Sequence, residues 1–91
     1  MLSGSIRDGK DQSALQDVNV VISSQGHKDI TAYTISDQKG SFRLTYTPAK
    51  DKEYVIRFSY LGYETVVLNI EKSITQYNVA LHAQAIDTVS Y

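Results

Sequence analysis

The 91-residue chain has no cysteine, a single proline and only two histidines, and its nine basic residues nearly cancel its ten acidic ones. Without cysteine, neither a disulfide nor a thiolate-bound zinc can hold the fold, so an apolar core has to. The formal charge of −1, with no run of five like charges, leaves out the basic patch that a nucleic-acid binder needs to neutralise phosphates. No apolar run approaches the ~18 residues that cross a bilayer as a helix. The stretch M-L-S-G-S-I-R lacks the apolar centre of a secretory signal. The chain is therefore either cytoplasmic or a piece of a longer protein whose signal lies elsewhere, and composition does not choose. What it does contain, 42% hydrophobic residues, is a globular composition. We read one domain, near the lower end of what folds without staples.

The most informative stretch is Glu53–Glu64, E-Y-V-I-R-F-S-Y-L-G-Y-E. Tyr54, Ile56, Phe58 and Tyr60 recur at every second position, and a strand sends alternate side chains to opposite faces. Arg57 and Ser59 mark the other face as partly wet. The pattern predicts a central strand of a β-sandwich, turned at Leu61-Gly62-Tyr63.

The other strands follow the same period. Leu2, Gly4 and Ile6 share a face, as do Val18, Val20 and Ile22, and Leu15 reaches the core from the polar loop between them. In Ile30–Ser36 the inward set is either Tyr33 with Ile35 or Ile30 with Ala32; the larger pair, Tyr33 and Ile35, excludes more water and is favoured. S-D-Q-K-G-S is the sharpest turn signal. Asp37 suits the first turn position and Gly40 the left-handed one, which makes a hairpin that sets the next strand against its predecessor. Phe42, Leu44 and Tyr46 form that strand's apolar face, and Pro48 ends it. Val66, Leu68 and Ile70 form a sixth set, Tyr77, Val79 and Leu81 a seventh, and Ile86–Tyr91 alternates again. No helical apolar stripe occurs. Seven short strands separated by turn signals predict an all-β, seven-stranded antiparallel Greek-key sandwich.

The chemistry is sparse. His27 and His82 lack the neighbouring ligands of a metal site, and no nucleophile elbow accompanies any serine. Asp8, Asp11 and Asp17 lack the D-x-D-x-D-G calcium pattern and read as turn formers. Tyr33, Tyr46, Tyr54, Tyr60 and Tyr77 stand in register with aliphatic residues, as core or core-edge positions. Tyr63, after the turn glycine, is placed to anchor the corner through its hydroxyl. No catalytic residue, metal site or cofactor is expected.

Taken in order, S-G-S-I-R-D, A-L-Q-D-V-N-V-V-I, S-D-Q-K-G-S-F-R-L, F-S-Y-L-G-Y-E and V-A-L resemble the carboxypeptidase-regulatory-like domain. This is a transthyretin-like (prealbumin-like) module, and the version at the N-terminus of TonB-dependent outer-membrane receptors of Bacteroidetes is the most similar. The resemblance implies a sandwich over residues 1–84 and an extended segment, 85–91, leading to a plug and barrel outside this chain. The trailing I-D-T-V-S-Y is similar to the L-D-E-V-V-V that follows the module, with Thr88 and Ser90 in place of Glu and Val. The loop Lys10–Asp17 lacks the Pro-Gly usual in the family, and Ser23–Ile35 is longer than the common connection.

The implied function is a non-catalytic accessory domain on the periplasmic face of the outer membrane, in an importer or related protein. Its partners would be the rest of its own chain, TonB or a surface lipoprotein, with no nucleic acid, and it would meet the membrane only through the parent. Asp37, Gly40, Phe42, Tyr60, Gly62 and Tyr63 are the expected turn and corner residues. Ile86, Val89 and Tyr91 are the expected strand for pairing with a partner. Two other readings stand beside it: a carbohydrate- or peptide-binding module of a secreted or surface protein, and, ranked last, a transthyretin-like hydrolase.

Overall fold

A computed structural model describes residues 2–25, 30–47, 52–71 and 73–83. Seven of the alternating runs form strands: β1 (Leu2–Asp8), β2 (Asn19–Ser24), β3 (Ile30–Ile35), β4 (Ser41–Leu44), β5 (Tyr54–Ser59), β6 (Val66–Asn69) and β7 (Gln76–Leu81). They make two sheets, ordered β4-β1-β7 and β3-β2-β5-β6. The all-β sandwich expected from the period-two pattern is the fold observed, and β5 is an interior strand.

The core lies between the sheets. Val20, Ile22, Ile56 and Phe58 from the four-stranded sheet and Ile6 and Leu81 from the other are fully buried. Phe42 meets Phe58 edge-on, with ring centroids 5.5 Å apart and planes at 69°, the geometry that aligns ring edge with ring face. Leu15 closes one end of this core from its loop. Gly4 lies opposite both Phe42 and Tyr77. A Cβ there would fall 1.7 Å from the Tyr77 carbonyl oxygen, so only glycine lets these three strands close up.

Three details depart from the sequence reading. First, four of the five ladders are antiparallel, but β1 pairs with β7 in parallel. The chain crosses between sheets after β1, β3, β4 and β6, and the last crossing delivers β7 beside β1 in the same direction. Second, β3 and β4 are not a hairpin: β3 pairs with β2 and β4 with β1. The tight turn between them carries the chain from one sheet to the other. Third, Tyr33 and Ile35 point outward, 67% and 49% exposed, whereas Ala32 packs against the core. The cause is register. Residues directly opposite in a ladder share a face. Val20 and Ile22 are fully buried and lie opposite Thr34 and Ala32, which leaves Tyr33 opposite Val21 on the outer face. The strong pattern of β2 overrides the side-chain size of β3.

Candidate functional site

The turn after β3 is held by its own side chains. Asp37 Oδ1 accepts the N–H groups of Lys39 and Ser41, each at 2.9 Å. Gly40 sits at φ +74° and donates its N–H to the Asp37 carbonyl. Its own carbonyl accepts the Ile6 N–H at 2.7 Å, tying the turn to β1. Phe42, two residues on, is buried. One residue here escaped the sequence reading. Ser36 is 3% exposed; its hydroxyl accepts the Val18 N–H at 2.9 Å and donates to the Leu15 carbonyl at 2.7 Å. A serine beside a turn motif reads as part of the turn, and nothing in its spacing marks it as a buried bridge.

The second expected corner joins β5 to β6. Gly62 has φ +87°, and the Tyr63 N–H returns to the Tyr60 carbonyl at 3.0 Å. The rings of Tyr60 and Tyr63 lie 5.5 Å apart. The Tyr63 hydroxyl donates to Asp8 Oδ2 at 2.5 Å, joining this corner to the end of β1 across 55 residues of sequence. Asp8 Oδ1 also accepts the Lys10 N–H at 2.7 Å. The Tyr63 hydroxyl, followed by the Lys10 N–H, holds the Asp8 carboxyl below its ordinary value, and the Asp8 carboxylate in turn pushes the Tyr63 phenol up. A general acid or base works best with a pKa near the operating pH. Both groups are moved away from neutrality, so the pair is a latch rather than a proton shuttle. The ring of His82 lies over Gly9, where an added Cβ would meet it at 2.5 Å.

The remaining candidates are scattered. Asp11 accepts from the N–H and hydroxyl of Ser13, at 3.0 and 2.7 Å, and Asp17 turns the chain into β2 at φ +68°. Both act as turn formers, as read. Tyr54 and Tyr77 are buried, Tyr46 and Tyr60 half-buried, and burial pushes the Tyr46 phenol up. Tyr33 departs from this set by facing solvent. Among the described residues no three His, Asp or Glu side chains converge on a metal position. His27, Ile86, Val89 and Tyr91 lie outside the described residues.

The two outer faces differ in character. Along β4-β1-β7 and the adjoining edge of β3 a shallow trough of 540 Å³ is lined by Ser3, Ser5, Ile35, Arg43, Gln76 and Asn78, and Ser5 donates to Asn78 Oδ1 at 2.9 Å. On β3-β2-β5-β6, Tyr33, Val21, Arg57 and Val67 form one row across the sheet. Tyr33, Ile35 and Val67 are exposed there. The site-bearing features are thus surfaces, turns and strand edges.

These features define a two-sheet β-sandwich. The family model of the CarboxypepD_reg-like domain matches residues 2–90, and the chain belongs to that family. Its domains are regulatory modules rather than catalytic ones. No curated protein matches the chain.

Proposed function

We propose that this chain is a non-catalytic accessory module of a TonB-dependent outer-membrane importer or a related outer-membrane protein. It sits on the periplasmic side and works through protein–protein contacts. The observation that carries the reading is the family match over residues 2–90. The segment F-S-Y-L-G-Y and the trailing I-D-T-V-S-Y support the importer context. The latched Asp8–Tyr63 pair and the exposed Tyr33 and Ile35 support a role in contact rather than reaction. The contacts are made with the plug and barrel of the same parent chain, with TonB or with a surface lipoprotein. The parent coding sequence tests this: a secretory signal ahead of the module and a plug with a barrel behind it are expected. A parent without a plug and barrel overturns the importer assignment.

The polar trough along β4-β1-β7 and the edge of β3 favours a second reading, a carbohydrate- or peptide-binding module. NMR titration with oligosaccharides and short peptides separates the two. Saturable shifts at Ser3, Ser5, Arg43, Gln76 and Asn78 would support ligand binding, and unmoved resonances there would leave the contact reading.

A further inference from the structure

Ser36 donates its N–H to the Val18 carbonyl and accepts from the Asp17 N–H, both at 3.0 Å. Its main-chain groups therefore point at β2. Successive residues of a strand point these groups to opposite sides, so Thr34 and Ala32 also bond towards β2. The N–H and C=O of Tyr33 and Ile35 face the other way, on a rim that no described strand covers, because β3 is terminal in the sheet order. Thr31 adjoins the register shift at Ile22/Ser23. Natural proteins blunt such rims with charge, proline or short length. β3, I-T-A-Y-T-I, is six residues long and has no charge and no proline. The other rims are guarded. β4 carries Arg43, and β6 is four residues long between Glu64 and Glu71. β7 is tied at its end to the facing sheet, where the Glu64 N–H bonds the His82 carbonyl at 2.9 Å.

We infer that the rim of β3 is a self-association surface, on which a second copy of this chain pairs antiparallel about Tyr33. In such a two-fold pair Tyr33 lies on the axis and meets its own copy, every other residue of β3 meets a different residue of β3, and β3 carries no charge that the pairing would bury. Asn19, Val21 and Ser23 of β2, which flank the outer face of β3, are uncharged as well. With Tyr33 opposite Tyr33 of the second copy, Thr31 falls opposite Ile35 and Ala32 opposite Thr34. The rim-facing N–H and C=O of Tyr33 are then exchanged with those of Tyr33 in the second copy, and outward side chains meet only outward ones. A slip by one residue would set Tyr33 against an inward residue and is excluded. The result is one continuous eight-stranded sheet, with Tyr33 of each copy packed as a cross-strand aromatic pair. Two short rims bury less than a standard interface, which makes the dimer weak and reversible. The inference concerns the chain's own surface, and a monomeric chain would leave the importer reading standing.

Sedimentation equilibrium of the 91-residue chain from about 10 µM to about 1 mM reads the dimer directly, this being the range of a small interface. A rise from the monomer to twice its mass is expected. Tyr33→Pro removes a rim N–H without touching the β2 ladder, and Tyr33→Lys sets two charges against each other. Each should weaken dimerisation at least about tenfold, the equivalent of 1.4 kcal/mol, while the far-UV spectrum stays β. If the proline variant does not fold, the lysine variant decides. In a mixed isotope-labelled sample, an intermolecular NOE between the α-protons of Ala32 and Thr34 fixes the register. A monomer at the highest concentration, or a dimer untouched by Tyr33→Lys, overturns the inference. So does a dimer whose Tyr33 amide exchanges as fast as in the monomer.

Discussion

Replacing Ser36 by alanine removes two hydrogen bonds made by one oxygen, with no gain elsewhere. Ser36 is 3% exposed. Its hydroxyl serves the Val18 N–H at 2.9 Å and the Leu15 carbonyl at 2.7 Å. Its main chain is already committed to Val18 and Asp17, so nothing local can take over. Ser36→Ala therefore strands one buried donor and one buried acceptor, at about 1–3 kcal/mol each. The sum, about 2–6 kcal/mol, is large beside the roughly 5–14 kcal/mol expected for a chain of this length at 0.05–0.15 kcal/mol per residue. With a urea m-value near 1.5 kcal/mol/M, the unfolding midpoint should fall by about 1–4 M. Ser41→Ala, at an exposed position, is the control and should cost under about 0.5 kcal/mol. Urea titrations followed by circular dichroism make the comparison. If the midpoints of Ser36→Ala and wild type agree within about 0.3 M, well inside that expected shift, the buried bridge is not there.

Two further perturbations follow from the turns. Gly40→Val puts a β-branched residue at φ +74° and its Cβ 2.5 Å from the Ile6 carbonyl oxygen. The combined cost of about 3 kcal/mol should lower the melting temperature by more than about 10 °C, and an unchanged melting temperature would remove the turn assignment. Tyr63→Phe deletes the main cause of the lowered Asp8 pKa. A depressed carboxyl stabilises the fold above its unfolded pKa, and that contribution is lost as pH falls through the folded value. The stability gap between wild type and Tyr63→Phe should thus be present at neutral pH and shrink below pH 3.8, the ordinary value for Asp8. The raised Tyr63 phenol has the opposite sign: its contribution is complete below the ordinary pKa of 10.0 and is lost as pH rises through the higher folded value. NMR titration of the Asp8 carboxyl checks the link, since an identical Asp8 curve in both proteins would break it.

Legibility in the sequence tracked how one-sided each strand is. In β2, β5 and β7 one face is aliphatic or aromatic and the other mostly polar or small, so alternation alone assigned Val20, Ile22, Ile56, Phe58, Val79 and Leu81 to the core, where they lie. β3 has comparable residues on both faces, and side-chain size pointed to the wrong one. Only its pairing with β2 decides, and pairing is not local. The same limit hid the parallel β1–β7 ladder, whose partners lie more than 70 residues apart. It also hid the partner of Tyr63. The corner tyrosine was visible from its place after Gly62, but Asp8, 55 residues away, reads only as a turn former. The turn at Asp37–Gly40 was legible because Asx and left-handed positions have their own residue preferences. What that turn connects, two sheets rather than one hairpin, is a property of the packed whole.

Amide hydrogen exchange along β3 in dilute solution tests the arrangement most directly. Ala32 and Thr34 bond to β2, and Tyr33 and Ile35 face the open rim. Slow exchange at Ala32 and Thr34, alternating with fast exchange at Tyr33 and Ile35, is the expected result. Equal protection at all four amides of the monomer would mean that β3 has a strand on both sides, and would contradict its terminal place in the sheet order.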